Sequence, residues 1–170
     1  MTRIDIAVAR PDQRGILENL MQLYVHDFSE FWAGLDRGYL SSDGRFDPYP
    51  LDAYWQEAGR VPLLLRADDH LAGFALLNTH THSGDPCDRN MAEFFVARKY
   101  RRSGFGTLAA QQIFAAYPGQ WELAVARRNL AALAFWRRAT AAAPGVKDLR
   151  ETDLSTSDWE GPILRFQIKA

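Results

Sequence analysis

The segment Tyr100-Arg101-Arg102-Ser103-Gly104-Phe105-Gly106 lies between two stretches of different periodicity. Residues 91–98 form a short apolar run that predicts a buried strand, and residues 107–117 show the spacing of a helix. The segment is therefore expected to form a strand-to-helix turn. Because amides at a helix N-terminus are unpaired and carry the positive end of the helix dipole, such a turn attracts anions. Gly104 and Gly106 lack a Cβ and allow close approach of a ligand, so the sequence predicts a phosphate-binding turn.

Two alternative interpretations of this turn stay open at the level of the motif. Residues 104–109 also fit the dinucleotide fingerprint G-x-G-x-x-A, but a hairpin pattern precedes them instead of a first parallel strand. In addition, the acid of the next strand, Glu122, stands at its start and not at its end, where ribose would bind. The second alternative is a turn that uses glycine for its geometry alone.

Outward from the turn, the chain alternates between strand and helix patterns and shows no repeat. Strands are predicted at residues 4–9, 63–65, 71–77, 91–98, 121–126, 149–154 and 163–168, and helices at 14–28, 51–58, 107–117 and 129–142. Asp68-Asp69 is expected to close a hairpin, and residues 34–50, rich in Gly, Asp and Ser, to form a flap. This order predicts an α/β fold, with a mixed sheet and helices on its faces.

Composition narrows the class of protein. A length of 170 residues favours a single domain over residues 1–170, and 47% hydrophobic with 24% charged residues indicates a globular chain. The net charge of -1 argues against a nucleic-acid partner, and no apolar run approaches the roughly 20 residues of a membrane span. Cys87 is the only cysteine, and the N-terminal residues lack a signal-peptide pattern, so a cytoplasmic location is expected.

A second motif follows the next predicted strand: Asn129-Leu130-Ala131-Ala132-Leu133-Ala134-Phe135-Trp136. Together with Arg101 to Gly106 it resembles the GNAT (GCN5-related N-acetyltransferase) superfamily, whose motifs are R/Q-x-x-G-x-G/A and, one helix and one strand later, N-x-x-A-x-x-F/L-Y. Glu93-Phe94-Phe95-Val96 and Phe135-Trp136-Arg137 resemble a subgroup of bacterial acetyltransferases more narrowly. Residues 93–138 carry the resemblance.

The resemblance implies an acetyl-CoA-dependent N-acetyltransferase that acts on a primary amine of a small molecule by direct attack in a ternary complex. It implies a mostly antiparallel sheet of about six to seven strands flanked by about four helices. Acetyl-CoA is the implied cosubstrate. The implied coenzyme-binding residues are Phe95, Val96, Arg101, Arg102, Ser103, Gly104, Phe105, Gly106, Thr107, Asn129, Phe135 and Trp136.

Acetyl transfer to an amine needs a base or a desolvating site, because an amine with a pKa of about 10.4 is almost entirely protonated at pH 7. Glu93, at the start of the strand that leads into the turn, is the candidate catalytic base. Its alternative role is a carboxylate paired with an arginine. Tyr24, Asp27 and Glu30, near the end of the first helix, are expected on the acceptor side, against the alternatives of core packing for Tyr24 and a solvated helix end for the acids.

Trp136 occupies the position where many family members carry a tyrosine that protonates the leaving sulfur. An indole N–H does not usefully release its proton, so a catalytically silent acetyl-CoA-binding sensor or interaction module is kept as a second interpretation. His80 and His82, with Cys87 and Asp85 nearby, lack the spacing of a ligand set, and no metal is expected. The sequence leaves a homodimer open.

Overall fold

The computed structural model describes residues 3–169, which contain one seven-stranded mixed sheet in the order β1-β2-β3-β4-β5-β7-β6. Every neighbouring pair of strands is antiparallel except β4 and β5, which are parallel. The strands are β1 Ile4–Val8, β2 Val61–Ala67, β3 His70–Asn78, β4 Arg89–Val96, β5 Gly119–Ala124, β6 Val146–Ser155 and β7 Glu160–Ile168. The helices are α1 Arg14–Ser29, α2 Ala53–Gln56, α3 Phe105–Ala116 and α4 Leu130–Ala141. The predicted α/β class and mixed sheet are confirmed.

The β2–β3 hairpin shows how local sequence determines a turn. Asp68 and Asp69 have φ angles of 46° and 68°, the left-handed conformation that a two-residue hairpin turn of this hand requires. Short acidic side chains tolerate this conformation better than most residues. The register Ala67↔His70 follows directly from the two-residue turn.

Helices cover both faces of the sheet, and each face has its own hydrophobic core. On one face, α3 and α4 pack on the sheet around Phe114, whose ring lies 4.9 Å from that of Trp121 and 5.1 Å from that of Phe166. On the other face, α1 and α2 contribute Leu17 and Tyr54 to a second cluster. Since both faces are covered, the central strands consist of nearly continuous apolar runs.

A fork in the centre of the sheet positions the site. The parallel pairing of β4 and β5 comprises only Arg89↔Trp121 and Asn90↔Glu122, and a cavity separates the strands beyond that point. In β4, Leu76 pairs with Glu93 and Leu77 with Met91, so Ala92 is an extra residue and forms a β-bulge. The bulge changes the side-chain alternation of β4 immediately before Glu93.

Residues 34–50 contain no helix or strand, as expected for a flap, and α1 holds them at one point. The Gln22 amide donates to Phe46 O at 3.1 Å and accepts from Phe46 N at 2.8 Å.

Strand β6 begins three residues earlier than predicted. It lies at the sheet edge, and its mostly exposed, charged residues lack the apolar pattern from which a strand is predicted. Among residues 3–169, no helix is long and apolar enough to cross a bilayer.

Candidate active site

The Gly-rich turn leads directly into α3. Gly104 is the N-cap of α3 with φ 86°, and a Cβ built there would meet no atom within 4 Å. The first hydrogen bond of the helix runs from Leu108 N to Gly104 O at 3.1 Å, so the amides of Gly106 and Thr107 precede it and are free of helical partners. Arg102 has φ 62° and is exposed. The turn therefore fits a phosphate group, as the motif predicts.

The side chain of Arg101 points away from these amides. Its Nε donates to Val96 O at 2.6 Å, and its guanidinium pairs with Asp27 of α1, which also accepts from Arg98 Nη2 at 2.7 Å. Burial raises the pKa of Asp27, but the hydrogen bonds from Arg101 and Arg98 outweigh that effect and hold it below its ordinary value. These pairs fasten α1 to the turn.

Two acids expected on the acceptor side do not reach the cavity between β4 and β5. Asp27 forms ion pairs with Arg98 and Arg101, which lie more than 70 positions away in the sequence. Glu30 is exposed and lies outside the cavity lining. Tyr24, one turn before Asp27 on α1, does line the cavity.

Asp27→Asn is expected to lower the free energy of unfolding by about 1–3 kcal/mol at pH 7, because it removes a charged acceptor from two arginines. Because the folded-state pKa of Asp27 is depressed, its contribution is present above the unfolded pKa of about 3.9 and is lost as the pH falls through the folded value. Urea denaturation of the parent and the variant at pH 7 and pH 3 measures the loss of stability and its dependence on pH. An effect of equal size at the two pH values would contradict this assignment.

The cavity has a volume of ≈ 480 Å³ and opens between the diverging strands. It receives residues from α1 and α4, from strands β3, β4 and β5, and from the segments that follow α1, β3, β5 and β6. The lining residues are Met21, Tyr24, Val25, Phe28, Trp32, Tyr49, Asn78, His80, His82, Asn90, Met91, Ala92, Glu93, Phe94, Ala124, Val125, Ala126, Asn129, Ala132, Trp136 and Trp159. Glu93 is the only carboxylate among them.

Glu93 sits in a pocket of tyrosines. Burial raises its pKa to about 7, against hydrogen bonds from the hydroxyls of Tyr24 and Tyr49, which lower it. Tyr54 lies close enough for the Glu93 charge to raise its pKa as well, after the larger effect of burial. A carboxylate with this pKa accepts a proton at neutral pH far more readily than an exposed glutamate does.

An aromatic cluster forms the opposite wall of the cavity, on the α4 side. Phe94 stacks on Phe135 at 5.8 Å and meets Trp136 edge-on at 5.1 Å. Trp136 is 7% exposed and belongs to the core, so packing is its evident role. A Cβ on Gly106 would lie 3.4 Å from the Phe135 ring and 3.6 Å from Val96 Cγ2, which is ordinary van der Waals contact.

The structure places two other motif residues, Asn129 and Phe95, in different surroundings. Asn129 lines the cavity, and its Oδ1 accepts from Ala132 N at 3.0 Å, so it is also the N-cap of α4. Phe95 is buried on the opposite face, where its ring lies 5.8 Å from that of Phe74. Only the main chain of Phe95 is therefore placed to face a ligand in the fork.

The loop between β3 and β4 is held by a buried ion pair that the sequence does not reveal. Glu122 is 0% exposed, and it accepts from His82 N at 2.6 Å, Ser83 Oγ at 2.5 Å and Arg165 Nη1 at 2.6 Å. Burial raises the pKa of Glu122, but these hydrogen bonds lower it below its ordinary value. The network places His80 and His82 at the cavity. Within residues 3–169, no three His, Cys, Asp or Glu side chains are grouped as metal ligands would be.

Several cavity residues were missed by sequence reasoning, among them Trp32, Tyr49, Asn90 and Trp159. They come from four separate segments: Tyr49 lies in the predicted flap, and the other three lie outside the predicted helices and strands. The one available signal was the concentration of aromatic residues in stretches without periodicity, which packing alone does not explain.

Comparisons with known proteins identify the family and the fold. Residues 17–140 match the acetyltransferase (GNAT) family. An acetyltransferase from Thermus thermophilus superposes with a TM-score of 0.62 at 13% identity, covering 96% of this chain and 94% of that chain. A GNAT-family acetyltransferase from Staphylococcus aureus gives 0.60 at 12% identity, covering 98% and 100%.

A third structure, the PaiA N-acetyltransferase from Thermoplasma acidophilum in complex with coenzyme A, gives a TM-score of 0.59 at 15% identity, covering 97% of this chain and 99% of that chain. At these identities the superpositions establish the fold. No curated protein matches the sequence significantly. Because the family match spans well over half of the sequence and includes both motifs, the chain belongs to the acetyltransferase (GNAT) family.

Proposed function

We propose that this protein transfers an acetyl group from acetyl-CoA to the primary amine of a small molecule, with Glu93 as the base. The observation that carries the proposal is a half-buried carboxylate on β4, next to the fork and leading into the Gly-rich turn, whose pKa burial raises to about 7. A carboxylate with a raised pKa in a cavity is a candidate functional group.

The residues of the fork and the turn fit the coenzyme. The amides of Gly106 and Thr107, with the open space at Gly104, would hold the pyrophosphate. Arg102 forms no ion pair within residues 3–169, so its guanidinium is available to a phosphate. The main chain at Val96 and the side chain of Asn129 would border the pantetheine arm. The coenzyme A complex of the Thermoplasma acidophilum protein supports this assignment.

Glu93 lowers the cost of making the acceptor nucleophilic. Moving a proton from an amine with a pKa of about 10.4 to a carboxylate with a pKa near 4.3 costs about 8 kcal/mol. With the pKa of Glu93 at about 7, the same transfer costs about 4.6 kcal/mol. Burial among the tyrosines therefore removes roughly 3.5 kcal/mol from the barrier.

Direct attack is favoured over a covalent enzyme intermediate. Burial raises the pKa of Cys87 to about 11, so the one thiol of the chain is not a nucleophile at neutral pH. In the direct route the amine nitrogen forms a bond to the acetyl carbon as the C–S bond breaks. One ammonium proton passes to Glu93 and the second ends on the departing sulfur, giving an N-acetyl amine and free coenzyme A.

Trp136 supplies no proton to the sulfur, but the reaction does not require an acid there. If the coenzyme thiol has a pKa near 8.5, departure as thiolate at pH 7 costs only about 2 kcal/mol. This is less than half the cost of deprotonating the amine. Water or the proton released by the amine is sufficient for this step.

Acetyl-CoA binding and thiol release test the proposal separately. Calorimetric titration is expected to give saturable binding of acetyl-CoA, and a colorimetric thiol assay is expected to show release that rises at least tenfold when primary amines are added. Binding without amine-stimulated release would instead indicate the coenzyme-binding module. Absence of binding would refute the donor assignment.

A further inference from the structure

The charged residues that line the cavity limit which acceptors it can bind. Among the lining residues within 3–169, Glu93 is the only carboxylate and no lysine or arginine is present. His80 and His82 are the remaining titratable groups besides the tyrosines, and burial followed by the proximity of His80 lowers the pKa of His82. The lining side chains therefore carry at most one negative charge at neutral pH and no stable positive charge. From outside the lining, Glu122 and Asp158 act on His82, and Arg37 Cζ lies 5.3 Å from the Trp32 ring centroid.

The walls of the acceptor side are aromatic. Phe28 and Trp32, at the end of α1 and in the turn after it, have ring centroids 5.3 Å apart. Across the cavity, His82 stacks on Trp159 with a centroid separation of 4.3 Å and an interplanar angle of 30°. Tyr24 and Tyr49 complete the lining next to Glu93. These rings offer flat apolar surfaces around a single anion.

Hydrogen bonds hold the second wall in place before any ligand arrives. Trp159 belongs to the β6–β7 turn, where its backbone N–H donates to Thr156 Oγ1 at 3.0 Å and its carbonyl accepts from Thr156 N at 2.9 Å. His82 is fixed through its amide by the buried Glu122. These bonds fix the backbone of Trp159 and His82, and the two rings contact each other; within residues 3–169 the buried Trp159 Nε1 has no hydrogen-bond partner.

Resting on the proposed function, we infer that the acceptor is an aryl-bearing monoamine: one primary ammonium, placed against Glu93, on an aromatic body held between the rings of Trp159 and Trp32, with no carboxylate. The single carboxylate matches one ammonium, and the rings match an aromatic body and add cation–π attraction for the ammonium. A polyamine would leave its further charges among aromatic rings without counter-ions. An amino acid would bring its carboxylate next to Glu93 with no cation to pair it.

Four amines test the inference in the thiol-release assay. We expect 2-phenylethylamine to show a kcat/KM at least tenfold above that of L-phenylalanine, which adds a carboxylate. The same margin is expected over n-propylamine, which lacks the ring, and over spermidine, which lacks the ring and carries two further amines. Equal or higher kcat/KM for any of these three overturns the inference while leaving the proposed acetyl transfer in place.

Binding measurements distinguish the proposed acetyl transfer from the inference about the acceptor. Calorimetry with the protein saturated by coenzyme A measures each amine without turnover. Binding of 2-phenylethylamine with no acetylation of any amine would refute acetyl transfer while retaining the preference of the cavity. Binding of none of the four amines would overturn the inference.

Trp159→Ala is expected to raise the KM for 2-phenylethylamine at least fivefold, to change kcat/KM for n-propylamine less than twofold, and to leave the KM for acetyl-CoA unchanged. Trp159→Phe keeps a ring and is expected to restore the KM to within twofold of the parent. Leu149→Ala, at an apolar residue of β6 that is 39% exposed and outside the cavity lining, is the control and is expected to change nothing. A fall in kcat/KM by the same factor for all amines in Trp159→Ala would show a structural role and overturn the ring contact.

Discussion

Gly104→Asp is expected to weaken acetyl-CoA binding at least 100-fold while leaving the fold intact. The new carboxylate would lie at the N-terminus of α3, where the unpaired amides would hold the pyrophosphate. Two like charges about 4 Å apart repel by about 4 kcal/mol at an effective dielectric constant of about 20, and a 100-fold loss needs about 2.7 kcal/mol. Calorimetric titration of acetyl-CoA measures the affinity, and circular dichroism measures the fold.

Two control variants separate charge from backbone strain. Gly104→Asn has nearly the size of Asp and tolerates the positive φ, but it carries no charge, so we expect a loss of affinity at least tenfold smaller. Gly44→Asp tests the strain alone, because Gly44 also has a positive φ of 78° with no atom within 4 Å of its Cβ and lies outside the turn. Equal affinities of the Asp and Asn variants at position 104 would show that no phosphate binds there.

Glu93→Gln is expected to lower kcat by about 10²–10⁴ and, at the same time, to raise stability above neutral pH. The pKa of Glu93 is raised, so the folded state holds a proton more tightly than the unfolded state between about pH 4.3 and 7. Native stability therefore falls as the pH rises through this window, by up to about 3 kcal/mol, and stays low above it. Removing the charge should restore that stability at pH 8 and change little at pH 4. Thermal denaturation at both pH values measures this.

The pH–rate profile provides the matching kinetic measurement. With a saturating acceptor, kcat of the parent protein is expected to rise with pH around an apparent pKa near 7, and the Gln variant should lose this dependence. The surrounding Tyr24, Tyr49 and Tyr54 stay protonated in this range because burial, and after it the charge of Glu93, raises their pKa values.

Tyr49→Phe is the control for this assignment. It removes a hydrogen bond that lowers the pKa of Glu93, so the profile should move to higher pH without disappearing. An unchanged profile in Glu93→Gln would remove Glu93 from the role of base.

The turn between β4 and α3 could be predicted from the sequence because its determinants are local. The apolar run of β4, two glycines and a helical pattern follow one another within about 30 residues, and each acts through its own backbone preferences. The ion pairs of Asp27 could not be predicted from the local sequence. Its position at the end of a helix was predicted correctly, but its partners Arg98 and Arg101 come from a distant segment that only the fold brings to α1.

The sequence by itself determined the order of strands and helices, the turn after β4 and the family to which the chain belongs, because hydrophobic periodicity and glycine positions act over short distances. Only the tertiary structure determines the pKa of Glu93. The β-bulge at Ala92 changes the alternation of β4 just before this carboxylate, and tyrosines from α1, the 34–50 segment and α2 surround it. The pKa of a buried group depends on everything packed against it, and these neighbours lie up to about 70 positions away in the chain. The aromatic lining of the cavity, which combines residues as distant as Trp32 and Trp159, arises for the same reason.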